Sequence, residues 1–107
     1  MTTFDAREKA FEDKFAHDQE MLFKAEARRN KLAGEWAGRK LGKSGDDLET
    51  YIKSVIIADL EEAGHDDVKR KIHADFVTNS LDISEHRIDK KLTDLLTEAK
   101  HQIMNGL

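Results

Sequence analysis

Residues 84–103 read SEHRIDKKLTDLLTEAKHQI. Ile88, Leu92, Leu95, Leu96, Ala99 and Ile103 recur at three- and four-residue spacings, which gather them on one side of a helix of 3.6 residues per turn. Ser84 stands just before the first apolar position, where its hydroxyl can accept an otherwise unpaired N–H of the first turn. A stripe this regular must be covered by other elements. The segments before it offer the same pattern. Val68, Ile72, Phe76 and Val77 form a stripe that starts at His65 or Asp66 and ends at the turn Asn79-Ser80-Leu81-Asp82. Leu48, Tyr51, Ile52, Val55, Ile56 and Leu60 form another, with Ser44 as its cap, Asp47 in its first turn and Gly64 as a left-handed stop. Strand alternation is sustained nowhere. The chain reads as all-α: a four-helix bundle over residues 19–107, preceded by a partly mobile amphipathic arm over residues 1–18.

The first helical stretch runs from about residue 3 to residue 41 and is closed by Gly42-Lys43-Ser44-Gly45. Its later half has large apolar residues to give a core: Met21, Leu22, Phe23, Leu32, Trp36 and Leu41. Its earlier half does not, and the natural break falls near Ala16–Gln19. There Phe4, Phe11 and Phe15 share one helical face among Asp5, Arg7, Glu8, Lys9, Glu12, Asp13 and Lys14. Five Phe occur in the whole chain, so most of them lie in this arm. The stripe could fold back as an extra bundle element or meet a partner. Glu8 and Asp18 fall on the apolar seam, and only alanines lie between the rings, which favours the partner. Isolated helices this short are marginal in water, so the arm is expected to order fully only when bound.

The 107 residues suit one domain with a modest core. There is no cysteine, hence no disulfide and no thiolate chemistry. No run approaches the roughly 20 apolar residues that span a bilayer, and the N-terminus has no secretory pattern. A cytoplasmic location is expected. Net charge is −4 with no proline present. Residues 1–43 carry ten Lys/Arg and eight Asp/Glu, while residues 44–107 carry eight and fourteen. This balance lacks the positive footprint of a nucleic-acid binder and disfavours an anionic membrane surface.

Motifs for chemistry are weak. His17, His65, His73, His86 and His101 are dispersed, and none makes the paired spacing of a zinc helix. Glu62, His65 and Asp66 could share a surface ion, but capping explains them equally; no metal or cofactor is expected. Gly42-Lys43-Ser44 lacks the upstream glycine of a phosphate loop. Ser84-Glu85-His86 are neighbours at a helix start, where capping accounts for them. Arg28, Arg29 and Lys31 form a cationic cluster that could touch phosphate, although a solvated helix face explains it as well. Trp36 reads as core.

Nearly the whole chain resembles one family, most densely up to about residue 42. Met1-Thr2-Thr3-Phe4-Asp5, Arg7-Glu8-Lys9-Ala10-Phe11-Glu12 and Lys14-Phe15-Ala16-His17-Asp18 look like the start of the zeta subunit of alphaproteobacterial F-type ATP synthases. Similarity continues through Phe23-Lys24-Ala25-Glu26-Ala27-Arg28-Arg29-Asn30-Lys31-Leu32, Gly34-Glu35-Trp36-Ala37, Leu41-Gly42 and Asp59-Leu60-Glu61-Glu62, then thins. Where the family usually reads Glu-Glu-Pro-Gly, this chain has Glu61-Glu62-Ala63-Gly64. The resemblance implies a four-helix bundle that inhibits ATP hydrolysis through its N-terminal segment.

The resulting expectation is a non-enzymatic regulator. Phe4, Arg7, Glu8, Phe11, Glu12, Lys14 and Phe15 would contact the catalytic head of F-type ATP synthase. The protein would then sit in the cytoplasm, held at the inner membrane by that enzyme without inserting into the bilayer. The rivals are a helical scaffold that uses the same arm on another partner, and a nucleotide sensor binding weakly near Arg28, Arg29 and Lys31.

Overall fold

The computed structural model describes residues 9–10, 12–15, 17–58 and 65–106. Residues 12–15 are helical. Four helices follow: α1 Gln19–Lys40, α2 Gly45–Ala58, α3 Asp66–Thr78 and α4 Glu85–Met104. The fold is all-α, and no strand occurs among the described residues. The helices assemble into a bundle with extents of 44 × 25 × 25 Å. α1 packs mainly on α2 and α4, and α3 bridges α2 to α4.

Each boundary has a local cause. Asp18 is extended and its side chain accepts the Met21 N–H at 3.1 Å, so the chain is broken and recapped where α1 begins. α1 ends in a Schellman motif: Lys43 N–H donates to Gly38 O and Gly42 N–H to Arg39 O, with Gly42 at φ 79°. α3 ends the same way, through Leu81 N–H to Phe76 O and Ser80 N–H to Val77 O. Here Ser80, at φ 60°, holds the left-handed position that glycine usually takes. The Ser84 hydroxyl accepts from Arg87 N–H at 3.2 Å, as its position in the sequence suggested. His65 occupies the N-cap position of α3 but makes no side-chain cap bond; its ring reaches α4 instead.

The core is a cluster of Tyr51, Val55, Val68, Ile72, Phe76, Ile88, Leu92 and Leu95 against Ala33 and Ala37. Trp36 meets Phe76 edge-on with centroids 5.6 Å apart. Leu32, Trp36 and Leu41 pack against this cluster as expected. The rest of the α1 seam differs. Its buried stripe is Ala25, Arg29, Ala33 and Ala37 beside Asn30, Gly34 and Gly38, whereas Phe23 is 69% exposed. Small residues win because α2 runs very close. A Cβ added to Gly34 would lie 2.9 Å from the Ile52 Cα, so no side chain fits without moving backbone.

Candidate functional site

The site begins where the N-terminal segment joins the bundle. The Phe15 side chain is completely buried. Lys100, from the last turns of α4, lies over its ring with Nζ 5.6 Å from the centroid. The same ammonium donates to Glu12 Oε2 at 2.6 Å. One lysine therefore grips both the ring and the carboxylate presented three residues apart on one helical turn. An ammonium over an aromatic face is attracted by the ring quadrupole, and the charged hydrogen bond is stronger than a neutral one. Lys100 is mostly covered, with 12% of its side chain exposed, while Glu12 remains 41% exposed.

Phe15 corrects the expectation that all three rings of the stripe lack neighbours in the free protein. It folds back because a cover is available from α4, about 85 residues further along the chain. Lys14 is exposed beside it. Phe4, Arg7, Glu8 and Phe11 lie outside the described residues.

The cationic trio divides. Arg29 is buried, 2% exposed, and its Nε donates to Asn30 Oδ1 at 3.1 Å. It does not sit on a solvated face, because the Ala25–Ala33–Ala37 stripe that buries α1 passes through it. Arg28 turns to α4, where Nη1 donates to Gln102 Oε1 at 2.9 Å. Lys31 is exposed. Arg28 and Lys31 line one surface groove, but the buried Arg29 is not part of it.

The structure does bring together a group that the sequence separates. His65 Nε2 lies 2.7 Å from Asp89 Oδ1, and Asp66 joins them within 4.8 Å. Glu62, expected to share an ion with His65 and Asp66, lies outside the described residues; Asp89 joins the group from α4. Lys69 Nζ stands 3.7 Å from Asp66 and 3.9 Å from Asp89, supplying positive charge where a metal would otherwise be needed. The hydrogen bond from His65 holds the Asp89 carboxyl below its ordinary value, with smaller help from the charges of His65, Lys69 and His86. This cluster ties α3 to α4.

A second polar link crosses the bundle. The Tyr51 hydroxyl donates to Asp75 Oδ2 at 2.8 Å, and Lys71 donates to the same oxygen at 3.0 Å. Burial, followed by the Asp75 hydrogen bond and charge, pushes the phenol well above its ordinary value.

The described residues form an all-α bundle whose last helix clasps Glu12 and Phe15 ahead of α1. Comparison with known proteins gives this bundle a family. A family model described as ATPase inhibitor subunit zeta matches residues 1–102. The chain belongs to that family. A protein solved by solution NMR shares 47% identity and superposes with a TM-score of 0.70, over 81% of this chain and 99% of that one. A search of curated proteins gives no match. Membership makes this a regulatory, inhibitor-class subunit. No described helix is long and apolar enough to cross a membrane.

Proposed function

We propose that this protein inhibits ATP hydrolysis by F-type ATP synthase, with its N-terminal segment inserted as a helix into a catalytic interface of the enzyme. The observation that carries the reading is the family match over residues 1–102. Its terms are physical. Catalytic interfaces of a rotary ATPase open and close in sequence, and a wedge in one of them stops the cycle without any catalytic residue. Phe4 and Phe11 supply the apolar ridge of the wedge, each contributing about 1.5–3 kcal/mol when fully desolvated. Arg7, Glu8 and Lys14 meet opposite charges and set register more than affinity.

Phe15 has a different part from the one its place in the stripe suggests. Buried under Lys100, with Glu12 bonded beside it, it keeps the base of the wedge attached to the bundle. Force applied to the inserted segment is then transmitted to a folded body too large to follow it. The bundle stays outside the interface and opposes rotation sterically. The protein is held at the inner membrane only through the enzyme.

The nucleotide-sensing alternative loses support from Arg29, which is buried, and from Arg28, whose guanidinium is engaged by Gln102. The test is hydrolysis by the matching ATP synthase titrated with this chain. Turnover should fall to a plateau at stoichiometric protein; turnover that never changes contradicts the reading.

A further inference from the structure

Two open grooves meet on the face shared by α1, α2 and α4. The larger, about 530 Å³, is floored by Phe23, Ala27, Ile56 and Ile103. The other, about 350 Å³, continues along α2 past Ile52. Lys31 and Ile56 line both, so the two form one trough. The fold itself does not require Phe23 here, since α1 is closed against α2 by alanine and glycine on another side. Single exposed apolar residues are ordinary, but these are contiguous around a concavity.

The rim is predominantly positive. Lys24, Arg28, Lys31 and Lys53 surround the trough against the single carboxylate of Glu49. That is the reverse of the whole chain, where 22 Asp/Glu outnumber 18 Lys/Arg. Lys31 and Lys53 form no ion pair among the described residues. Lys24 pairs with Glu20 at 3.4 Å, but both side chains are more than half exposed, and such pairs exchange at little cost.

We propose that this trough docks an acidic-flanked amphipathic helix on the catalytic head of F-type ATP synthase, its apolar ridge on Phe23, Ile56 and Ile103 and its carboxylates against the Lys/Arg rim. The inference rests on the functional reading above and adds a second grip, separate from the N-terminal segment. The charge pattern selects the occupant. A second copy docked face to face would bring one cationic rim against another. A bilayer surface would meet the rim and leave the concave floor unfilled. A helix with an apolar ridge fills the floor while its acidic flanks meet the rim.

The test uses the full-length chain and the purified catalytic head of the matching enzyme. Phe23→benzoylphenylalanine is irradiated in the complex and the adduct is mapped by mass spectrometry. The proposal expects a cross-link to an acidic amphipathic helix of the head. A cross-link to a second copy of the chain, or none to the head while the two co-elute, overturns it. Affinity gives an independent reading. Ile56→Asp, and separately the exposed pair Lys31→Glu with Lys53→Glu, should weaken binding about tenfold or more, and the charge-reversed pair should keep its melting temperature. Affinity unchanged in the charge-reversed pair also overturns it. With the N-terminal segment intact, both variants should still reach full inhibition at higher concentration. If the unaltered chain binds and inhibits but the variants behave identically, only the trough falls. If the unaltered chain neither binds nor inhibits, the functional reading falls and takes the trough with it.

Discussion

Lys100 Nζ and Glu12 Oε2 stand 2.6 Å apart although 88 residues separate them in the chain. The contact fastens the last turns of α4 to the segment that precedes α1, and it leaves the Phe15 ring under the lysine ammonium. The residues just ahead of α1 are therefore part of the folded body. Phe15→Ala removes a fully buried ring and should cost about 3–5 kcal/mol, because the transfer energy is lost and a cavity remains. Glu12→Ala breaks a bond whose acceptor is 41% exposed, so it should cost no more than about 1 kcal/mol. Thermal melts of the two variants check this. A Phe15→Ala protein as stable as the parent would mean that the base of the segment is not packed in solution.

The closeness of α1 and α2 predicts an unusual sensitivity to the smallest addition. Alanine favours a helix over glycine by roughly 1 kcal/mol in the open. At Gly34 the added methyl would meet the Ile52 backbone at 2.9 Å. Gly34→Ala should therefore destabilise, by about 1–3 kcal/mol. Denaturant unfolding gives the sign. A stabilised Gly34→Ala variant would show that the two helices sit further apart.

These positions also show where the sequence was legible. α4 was, because Ile88, Leu92, Leu95 and Ala99 are large enough and regular enough to reveal their period, and all four are buried. The stripe of α1 was not. Alanine and glycine carry little hydropathy signal, so Ala33, Gly34, Ala37 and Gly38 do not stand out beside Phe23, whose size suggests the core although it is exposed. The signal available was the run of small residues three to four apart, which marks a close helix crossing. Phe15 and Arg29 are hard to read for another reason. Phe15 is covered from a distant helix, and Arg29 is a charged residue on a stripe of small ones. The His65–Asp89 link is likewise non-local, and neither residue type announces a partner 24 positions away.

The only tyrosine gives a pH test. Tyr51 ordinarily titrates at 10.0, and in the fold burial and Asp75 raise it well above that. A raised native value means that the stabilising contribution is complete below the unfolded value and is lost as pH rises through and beyond 10. Ultraviolet titration of phenolate should thus show no ionisation near pH 10 in the folded state, and ionisation should appear together with loss of helical circular dichroism. Reversible ionisation at the ordinary value with helicity intact would show that the Tyr51–Asp75 bond is absent.

The central claim is that inhibition resides ahead of the packed base. Deleting residues 1–11 leaves Glu12 and Phe15 in place against Lys100 and separates the proposed wedge from the fold. Steady-state ATP hydrolysis by the matching F-type ATP synthase, measured with the parent chain and with this truncation, tests it directly. The truncated protein should melt as the parent does and leave hydrolysis at its uninhibited rate, while the parent chain suppresses it. A folded truncation that inhibits as strongly as the parent would contradict the claim and place inhibition in the bundle.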